Sequence, residues 1–296
     1  MKFIDWFAGI GGFRKGMELA GHECVGFCEF DKYAVMSYTA MHLCTQKQLD
    51  YLATLPLKER QKEILKEEYR NGEWYADDIR RVYAGDIPRA DCWCFGFPCQ
   101  DISAVGKQCG FEGNRSSLFF RVMYLVEQLS EEEKPTYLFI ENVRNLLNVN
   151  DGWDFARLLV EMDKAGYDAE WSILNSKDFG VPQNRERVFI IGHYRGKGRT
   201  EVLFGREFDK SLREKDSQIC CRTLVRRYPG NINGTFIKDK NGIRPFTPME
   251  CFRLQGWHDD DFMKAKLVNN NNELYKQAGN GVTVNVIKAI ADRMKI

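Results

Sequence analysis

One cysteine in this chain stands where a thiol could act as a nucleophile. Cys92-Trp93-Cys94-Phe95 is short and apolar, as a buried strand is, and Gly96-Phe97-Pro98-Cys99-Gln100 follows it. Gly96 and Pro98 interrupt both strand and helix, so the backbone turns at Cys99, at the carboxyl end of a strand, where α/β proteins hold ligands. A free cysteine is more often core filler, but its company here argues otherwise. The apolar run 136–140 delivers Glu141-Asn142-Val143. A carboxyl group leaving the same sheet edge shares a pocket with Cys99, where partial burial raises its pKa and keeps it protonated for acid catalysis. Arg185 and Arg187 lead into a further apolar strand at 188–192. They are expected to face opposite ways, one into the pocket and one toward a phosphate or structural carboxylate. A surface ion pair with Glu186 is the simpler alternative for either.

A glycine turn opens the chain. Residues 2 to 7 read as a buried strand, then Ala8-Gly9-Ile10-Gly11-Gly12-Phe13 leads into a helix. Such a turn admits a ligand to the backbone and aims the helix N-terminus at it. Counted from Gly9, the third glycine of the dinucleotide fingerprint is Arg14, which weakens a pyrophosphate site. The next strand ends on Glu29-Phe30-Asp31, and a carboxylate there suits a ribose. A nucleoside cofactor without a diphosphate, such as S-adenosylmethionine, therefore fits better than NAD. Val82-Tyr83-Ala84-Gly85-Asp86-Ile87 reads as another strand end, with Asp86 accepting from an adenine amine or simply capping a turn. Gly279-Asn280-Gly281 precedes the last helix, so the chain's end can close the site opened at its beginning.

These groups need an α/β frame to meet. Helices are expected at 117–129, 154–166 and 284–294, and a strand at 169–174. Residues 100–116 form a glycine-bearing loop long enough to be a lid. The stretch 41–84 breaks the alternation; residues 57–69 are so charged that they read as a solvated surface helix within an insertion. A net charge of +1 gives no global reason to expect nucleic acid, yet residues 194–246 hold an excess of seven positive charges. Within them Arg222-Thr223-Leu224-Val225-Arg226-Arg227-Tyr228 mixes arginines with an aromatic, suited to phosphate contact and base-edge readout. Ten cysteines, with a strand starting at once, imply reduced thiols in the cytoplasm, and their spacing does not read as a metal site. No run has transmembrane length.

In order and spacing these features resemble the DNA (cytosine-5) methyltransferases of bacterial restriction-modification type, such as the HhaI type. Asp5-Trp6-Phe7-Ala8-Gly9-Ile10-Gly11-Gly12 is similar to the family's first motif, Gly96-Phe97-Pro98-Cys99-Gln100 to its nucleophile motif, and Glu141-Asn142-Val143 to its acid motif. Gln183-Asn184-Arg185-Glu186-Arg187 matches its Gln-x-Arg-x-Arg, residues 244–256 and 277–280 its two late motifs, and Thr223-Leu224 the dipeptide beside the target. The insertion is longer than usual and the variable region at 195–243 short. The tRNA-directed branch carries Cys-Phe-Thr near the late motifs, where this chain has Cys251-Phe252-Arg253, which favours DNA.

The resemblance implies an α/β, Rossmann-like S-adenosylmethionine-dependent methyltransferase fold with a small, irregular, mostly β target-recognition domain. Residues 1–193 would form the catalytic and cofactor-binding part, 194–272 the recognition domain, and 273–296 a return to the catalytic part. It implies that Cys99 attacks cytosine C6, that Glu141 bonds N3 and the exocyclic amine, that Arg187 holds O2 and that Arg185 binds near the phosphate backbone. Phe7, Gly9, Gly11, Glu29, Phe30, Asp86, Ile87, Pro98, Leu118, Asn280 and Gly281 would hold the cofactor. Gln100, Ser103, Val105, Arg115, Arg222, Thr223, Leu224, Arg226, Arg227 and Tyr228 would face DNA, with Val105 filling the space left by a flipped base. No metal is implied. The partner would be double-stranded DNA met by a monomer, with a companion restriction endonuclease on the same site but no stable complex. Rival readings are the same chemistry on tRNA, a nicotinamide oxidoreductase with a redox cysteine, and a DNA-binding module without catalysis.

Overall fold

The structure, a computed structural model, describes residues 1–97, 118–197, 201–203, 220–230, 235–240 and 242–295. The first strand, β1 (Lys2–Trp6), is buried on both faces from Phe3 onward, as the middle of a parallel sheet requires. It lies between β2 (Glu23–Cys28) and β4 (Cys92–Gly96). β3 (Trp74–Ala76) pairs outside β2, β5 (Tyr137–Val143) pairs beyond β4, and β6 (Tyr167–Asn175) forms the far edge. After the short β7 (Gln183–Asn184), β8 (Glu186–Tyr194) threads between β5 and β6, giving the seven-stranded order β3-β2-β1-β4-β5-β8-β6. β8 runs antiparallel to both of its neighbours, while β1 to β5 pair in parallel. The order reverses between β1 and β4, which opens a crevice at their carboxyl ends.

Strand alternation sorts the core into two layers. Ile4, Trp6, Trp93, Phe95, Leu138 and Ile140 point to one side, covered by the helices Leu118–Gln128 and Trp153–Lys164. Phe3, Cys92, Cys94, Tyr137 and Phe139 point to the other, covered by Gly12–Leu19 and Val284–Ala291. Those last two helices touch at Gly16, where a Cβ would lie 2.5 Å from Ile287 Cβ and 2.9 Å from the Lys288 nitrogen. Gly16→Ala is therefore expected to destabilise the protein by about 1–3 kcal/mol, more than the helix propensity it gains. Urea denaturation measures this, and an unchanged midpoint would show that the two helices can separate freely.

The third strand is not at 82–87. It is β3, eight residues earlier, where Trp74 packs over Gly26 and edge-on to Trp6 at 5.7 Å. Val82 is buried without joining a ladder, because Arg121 donates to the carbonyls of Ile79 and Val82 at 3.2 and 2.6 Å. Asp86 consequently sits exposed in the single turn Ala84–Asp86. In the insertion, the helix Leu57–Glu63 has no buried residue, as its charge implied. Its neighbours do more: Leu49, Leu52, Ile64 and Tyr69 form a small core with Met36 and Val268. That core, with the Lys15–Asp261 ion pair at 2.9 Å, fastens the helix Asp259–Val268 to the first part of the chain. Within 194–272 the described strands are β9 (Cys221–Arg222), which pairs with β7, and the hairpin β10 (Phe236–Asp239) and β11 (Gly242–Pro245). Among the described residues no helix is long and apolar enough to cross a membrane, and no group of His, Cys, Asp or Glu is placed to hold a metal.

Candidate active site

β4 and β5 are parallel and in register, with Gly96 opposite Glu141. A side chain at Gly96 would place its Cβ 3.1 Å from Glu141 Oε2, so glycine leaves room there for the carboxyl group. Asn142 Nδ2 donates to the Phe97 carbonyl at 2.8 Å and ties the start of the following loop to the strand carrying the acid. The chain thus leaves β4 beside Glu141, three residues ahead of Cys99. Pro98, Cys99, Gln100, Ser103, Val105 and Arg115 lie outside the described residues.

The Glu141 side chain is largely buried, and Arg187 Nε donates to its Oε1 at 3.0 Å. Burial raises its pKa above the ordinary glutamate value, against the pull of Arg187 and Arg185. Arg187 meets the carboxyl group directly, while Arg185, which lies just before β8, turns to other partners. Arg187 keeps contact with the pocket, its Nη1 donating to the Glu186 carbonyl at 2.7 Å. Arg185 is in the interior, not at a phosphate. Its Nη1 donates to Leu224 O at 2.9 Å and its Nη2 to Gly281 O at 2.8 Å and Gly279 O at 3.3 Å. Burial and the neighbouring Arg187 push its pKa down to about 9, and its Nε is buried without a partner. Arg185 is therefore a tie between the segment after β9 and the Gly279–Gly281 turn. Gln183 repeats the tie, its Nε2 donating to Leu254 O at 2.8 Å while its Oε1 accepts the Leu224 amide at 2.9 Å.

The expected DNA-facing residues divide. Arg222, Arg226 and Arg227 are exposed. Thr223 is half-buried, its hydroxyl donating to Asn184 O at 2.7 Å. Leu224 and Tyr228 are buried and cannot read a surface ligand in this arrangement. Leu224 is apolar and held through its backbone by Arg185 and Gln183. Tyr228 packs against Phe246 and Tyr275, and its hydroxyl donates to Thr235 O at 2.9 Å.

At the amino-terminal turn, Phe7 adopts a φ of 54° and Gly9 a φ of 55°. The first is uncommon for a residue with a side chain. A Cβ on Gly9 would meet nothing within 4 Å, so open space lies beside this backbone. Glu29 Oε2 accepts the Gly9 amide and Oε1 the Asp31 amide, each at 2.7 Å, which leaves its other lone pairs for a ligand. Burial raises the Glu29 pKa while those amides oppose it. Phe30 is 73% exposed, with the Arg80 guanidinium 5.9 Å from its ring centre. Phe7, Ile87 and Leu118 pack on the rim of one core layer, and Asn280 ends its helix exposed at the surface. The third strand is followed not by Asp86 but by the exposed Asp77 and then the buried Asp78. Its carboxylate accepts the Arg80 amide at 3.0 Å and the Arg80 guanidinium at 2.6 Å, which lowers its pKa. Trp74-Tyr75-Ala76 is too short a strand to stand out inside a charged insertion; the pair Asp77-Asp78 just after an aromatic run was the available signal.

The strand-order reversal, with a glycine turn on one side and a buried acid–arginine pair on the other, is that of a Rossmann-like α/β protein with its candidate site at the carboxyl ends of the strands. Comparison makes the class specific. The model for the C-5 cytosine-specific DNA methylases matches residues 1–54, 52–231 and 203–296. The type II methyltransferase M.Bsp6I of Bacillus sp. (strain RFL6) is 30% identical over 99% of this chain and 98% of its own. M.HhaI of Haemophilus parahaemolyticus is 29% identical over 98% of this chain and 93% of its own. Among solved structures, the Dnmt2 methyltransferase of S. pombe superposes with a TM-score of 0.71 over 98% of this chain and 96% of its own, at 17% identity, a likeness of fold. The chain belongs to the C-5 cytosine-specific DNA methylase family.

Proposed function

We propose that this protein methylates C5 of a cytosine flipped out of a short duplex DNA sequence, with S-adenosylmethionine as donor and Cys99 as a transient covalent catalyst. The observation that carries the reading is the buried Glu141–Arg187 pair beside Gly96, three residues before the cysteine. The turn fits such a donor: Gly9 has open space beside it, Glu29 has acceptor capacity toward a ribose, and Phe30, Ile87 and Leu118 offer apolar flanks for an adenine. Asp78 takes the place expected of Asp86 as acceptor for the adenine amine, since it stands where the third strand ends. When bound, S-adenosylmethionine supplies an electrophilic methyl group on a sulfonium.

Cytosine C5 is a poor nucleophile until electrons are pushed into the ring. The Cys99 thiolate forms a bond to C6 while Glu141 gives its proton to N3, leaving C5 enamine-like and able to take the methyl group. Arg187 holds O2 and the Glu141 carboxylate that forms. A base then removes the C5 proton, the S–C6 bond breaks, and N3 returns its proton to Glu141. Extruding the base costs roughly a few kcal/mol of stacking and pairing. The cytoplasm, where DNA and reduced thiols coexist, is the expected location, with a restriction endonuclease of matching site as companion. The test is to offer labelled donor with duplex DNA and with tRNA, then map the modified cytosines. Label at C5 within one recurring DNA sequence is the expected result; label in tRNA alone would overturn the choice of substrate.

A further inference from the structure

The glycine turn carries three residues in the left-handed region within five positions, Phe7 at φ 54°, Gly9 at 55° and Gly11 at 84°. Such backbone persists where its surroundings over-determine it. The first half is held by Glu29, which accepts the Gly9 amide at 2.7 Å, and by the Ala8 amide, which donates to Cys28 O at 3.0 Å. In the second half the Gly11 amide returns to Ala8 O at 2.8 Å, and the remaining support comes from a histidine outside the family motifs. His42 Nε2 lies 3.0 Å from Ile10 O, and because a carbonyl only accepts, Nε2 carries the proton. We propose that His42 is a positioning residue for the methyl donor, fixing the second half of the turn so that the backbone at Gly9 stays open to the ligand, an inference that rests on the reading of this turn as the donor site.

The local chain delivers this group by an unusual route. The helix Lys32–Tyr38 does not continue in ordinary α form: over Thr39–Leu43 it widens, and the Cys44 amide donates to Thr39 O, five residues back, at 2.9 Å. Such a widened turn is rare and recurs at functional sites. The imidazole it presents packs edge-on to the Tyr38 ring at 4.9 Å and lies 6.0 Å from the Trp257 ring. Tyr38 in turn stacks on Phe27 of β2 at 3.9 Å, and its hydroxyl accepts from Arg14 Nη1 at 3.2 Å, so the support is anchored to the helix that the turn opens. The ring also fills the space beside Gly11: a Cβ there would lie 2.9 Å from His42 Cδ2 and 3.0 Å from Tyr38 Cε2, and closer still to Nε2. Gly9 is the opposite case, with nothing within 4 Å of a Cβ. One glycine of the turn is therefore backed by protein while the other faces open space. Withdrawal from water lowers the His42 pKa, and the positive charges of Arg14, Lys15 and Lys264 add to this, so the ring is neutral with a single N–H. That N–H is committed to Ile10, which makes His42 a support for the turn and not an acid or base in the reaction.

The test is calorimetric titration of S-adenosylmethionine and S-adenosylhomocysteine into two variants. His42→Met keeps the bulk and removes the N–H, whereas His42→Gln restores an amide N–H at similar reach. His42→Met is expected to bind either ligand about tenfold more weakly, equivalent to about 1.4 kcal/mol and within the range of one hydrogen bond. His42→Gln should recover most of that loss, to within about threefold of the unaltered protein. In steady-state assays the loss should fall on KM for the donor more than on kcat. A purely structural role would lower the melting temperature while leaving the donor affinity of the folded protein unchanged, and thermal melting separates the two. Histidine nitrogen chemical shifts give an independent readout: of the four histidines, the one missing from His42→Gln should be the Nε2–H tautomer. Undiminished donor affinity in folded His42→Met, a Gln variant no tighter than Met, or an Nδ1–H tautomer at His42 would overturn the proposal. Failure of the unaltered protein to bind either ligand would instead count against the donor reading.

Discussion

Cys99→Ser is expected to lose methyl transfer by more than about 10³-fold while binding the cofactor within about threefold of the unaltered protein. A free thiol ionises near pH 8.5, within reach of modest electrostatic help, whereas a serine hydroxyl does not ionise in this range. Sulfur is also the better leaving group when the adduct must collapse. Nothing in the proposed cofactor cradle of Phe7, Gly9, Glu29 and Asp78 needs the thiol, so the two losses should separate cleanly. Single-turnover assays with labelled donor measure the first and calorimetric titration the second. A DNA substrate whose target carries fluorine at C5 supplies a complement: with no proton to remove, the Cys99–C6 bond should persist through denaturation, and the serine protein should show no such product. Normal turnover by Cys99→Ser would end the covalent scheme.

Glu141→Gln is the second large effect, a fall of about 10² to 10⁴ in the single-turnover rate with modest loss of DNA affinity. Glutamine can still accept from Arg187, so the pocket should hold, but it has no proton to give to N3. The sign of the pH dependence follows from the direction of the shift. Burial raises the Glu141 pKa, so the protonated form persists to higher pH than for an ordinary glutamate. Above that raised pKa the acid form declines tenfold per unit, and the rate should decline with it. Cys99 has the opposite need, since its thiolate fraction grows with pH. The unaltered protein should therefore show a bell, and Glu141→Gln should lose the descending limb along with most of the rate. The same shift affects stability: Glu141 favours the folded state below its unfolded pKa, and that contribution is lost as pH rises through the folded value. A Gln variant with the original rate, or with the descending limb intact, would remove Glu141 from the acid role.

Most of the frame was legible because its signals are local in the chain. The buried run Phe3-Ile4-Asp5-Trp6, the glycine turn after it and the strand ends at Glu29 and Glu141 each declare themselves within a few residues. Where the local signal is faint the pattern points elsewhere: residues 82–87 are the longer apolar run, yet the edge strand is the three-residue segment that Trp74 anchors on Gly26. The recognition segment differs for another reason. Arginine, tyrosine and glycine in one loop have the composition of a surface, but Tyr228 packs inward against Phe246 and Tyr275, residues that lie 18 and 47 positions further along.

Taken alone, the order of residues determined the α/β alternation, the glycine turn and the family, because hydrophobic period, turn chemistry and motif spacing are properties of neighbouring positions. Only the tertiary structure decided that Arg185 would be a buried tie and Arg187 the partner of Glu141, although the two are one residue removed from adjacency and chemically alike. Carbonyls at 224, 279 and 281 surround one guanidinium and a carboxyl group at 141 meets the other. The physical reason is that the desolvation of a charge is offset by whatever polar groups distant parts of the chain bring to it, and no local pattern states which those will be.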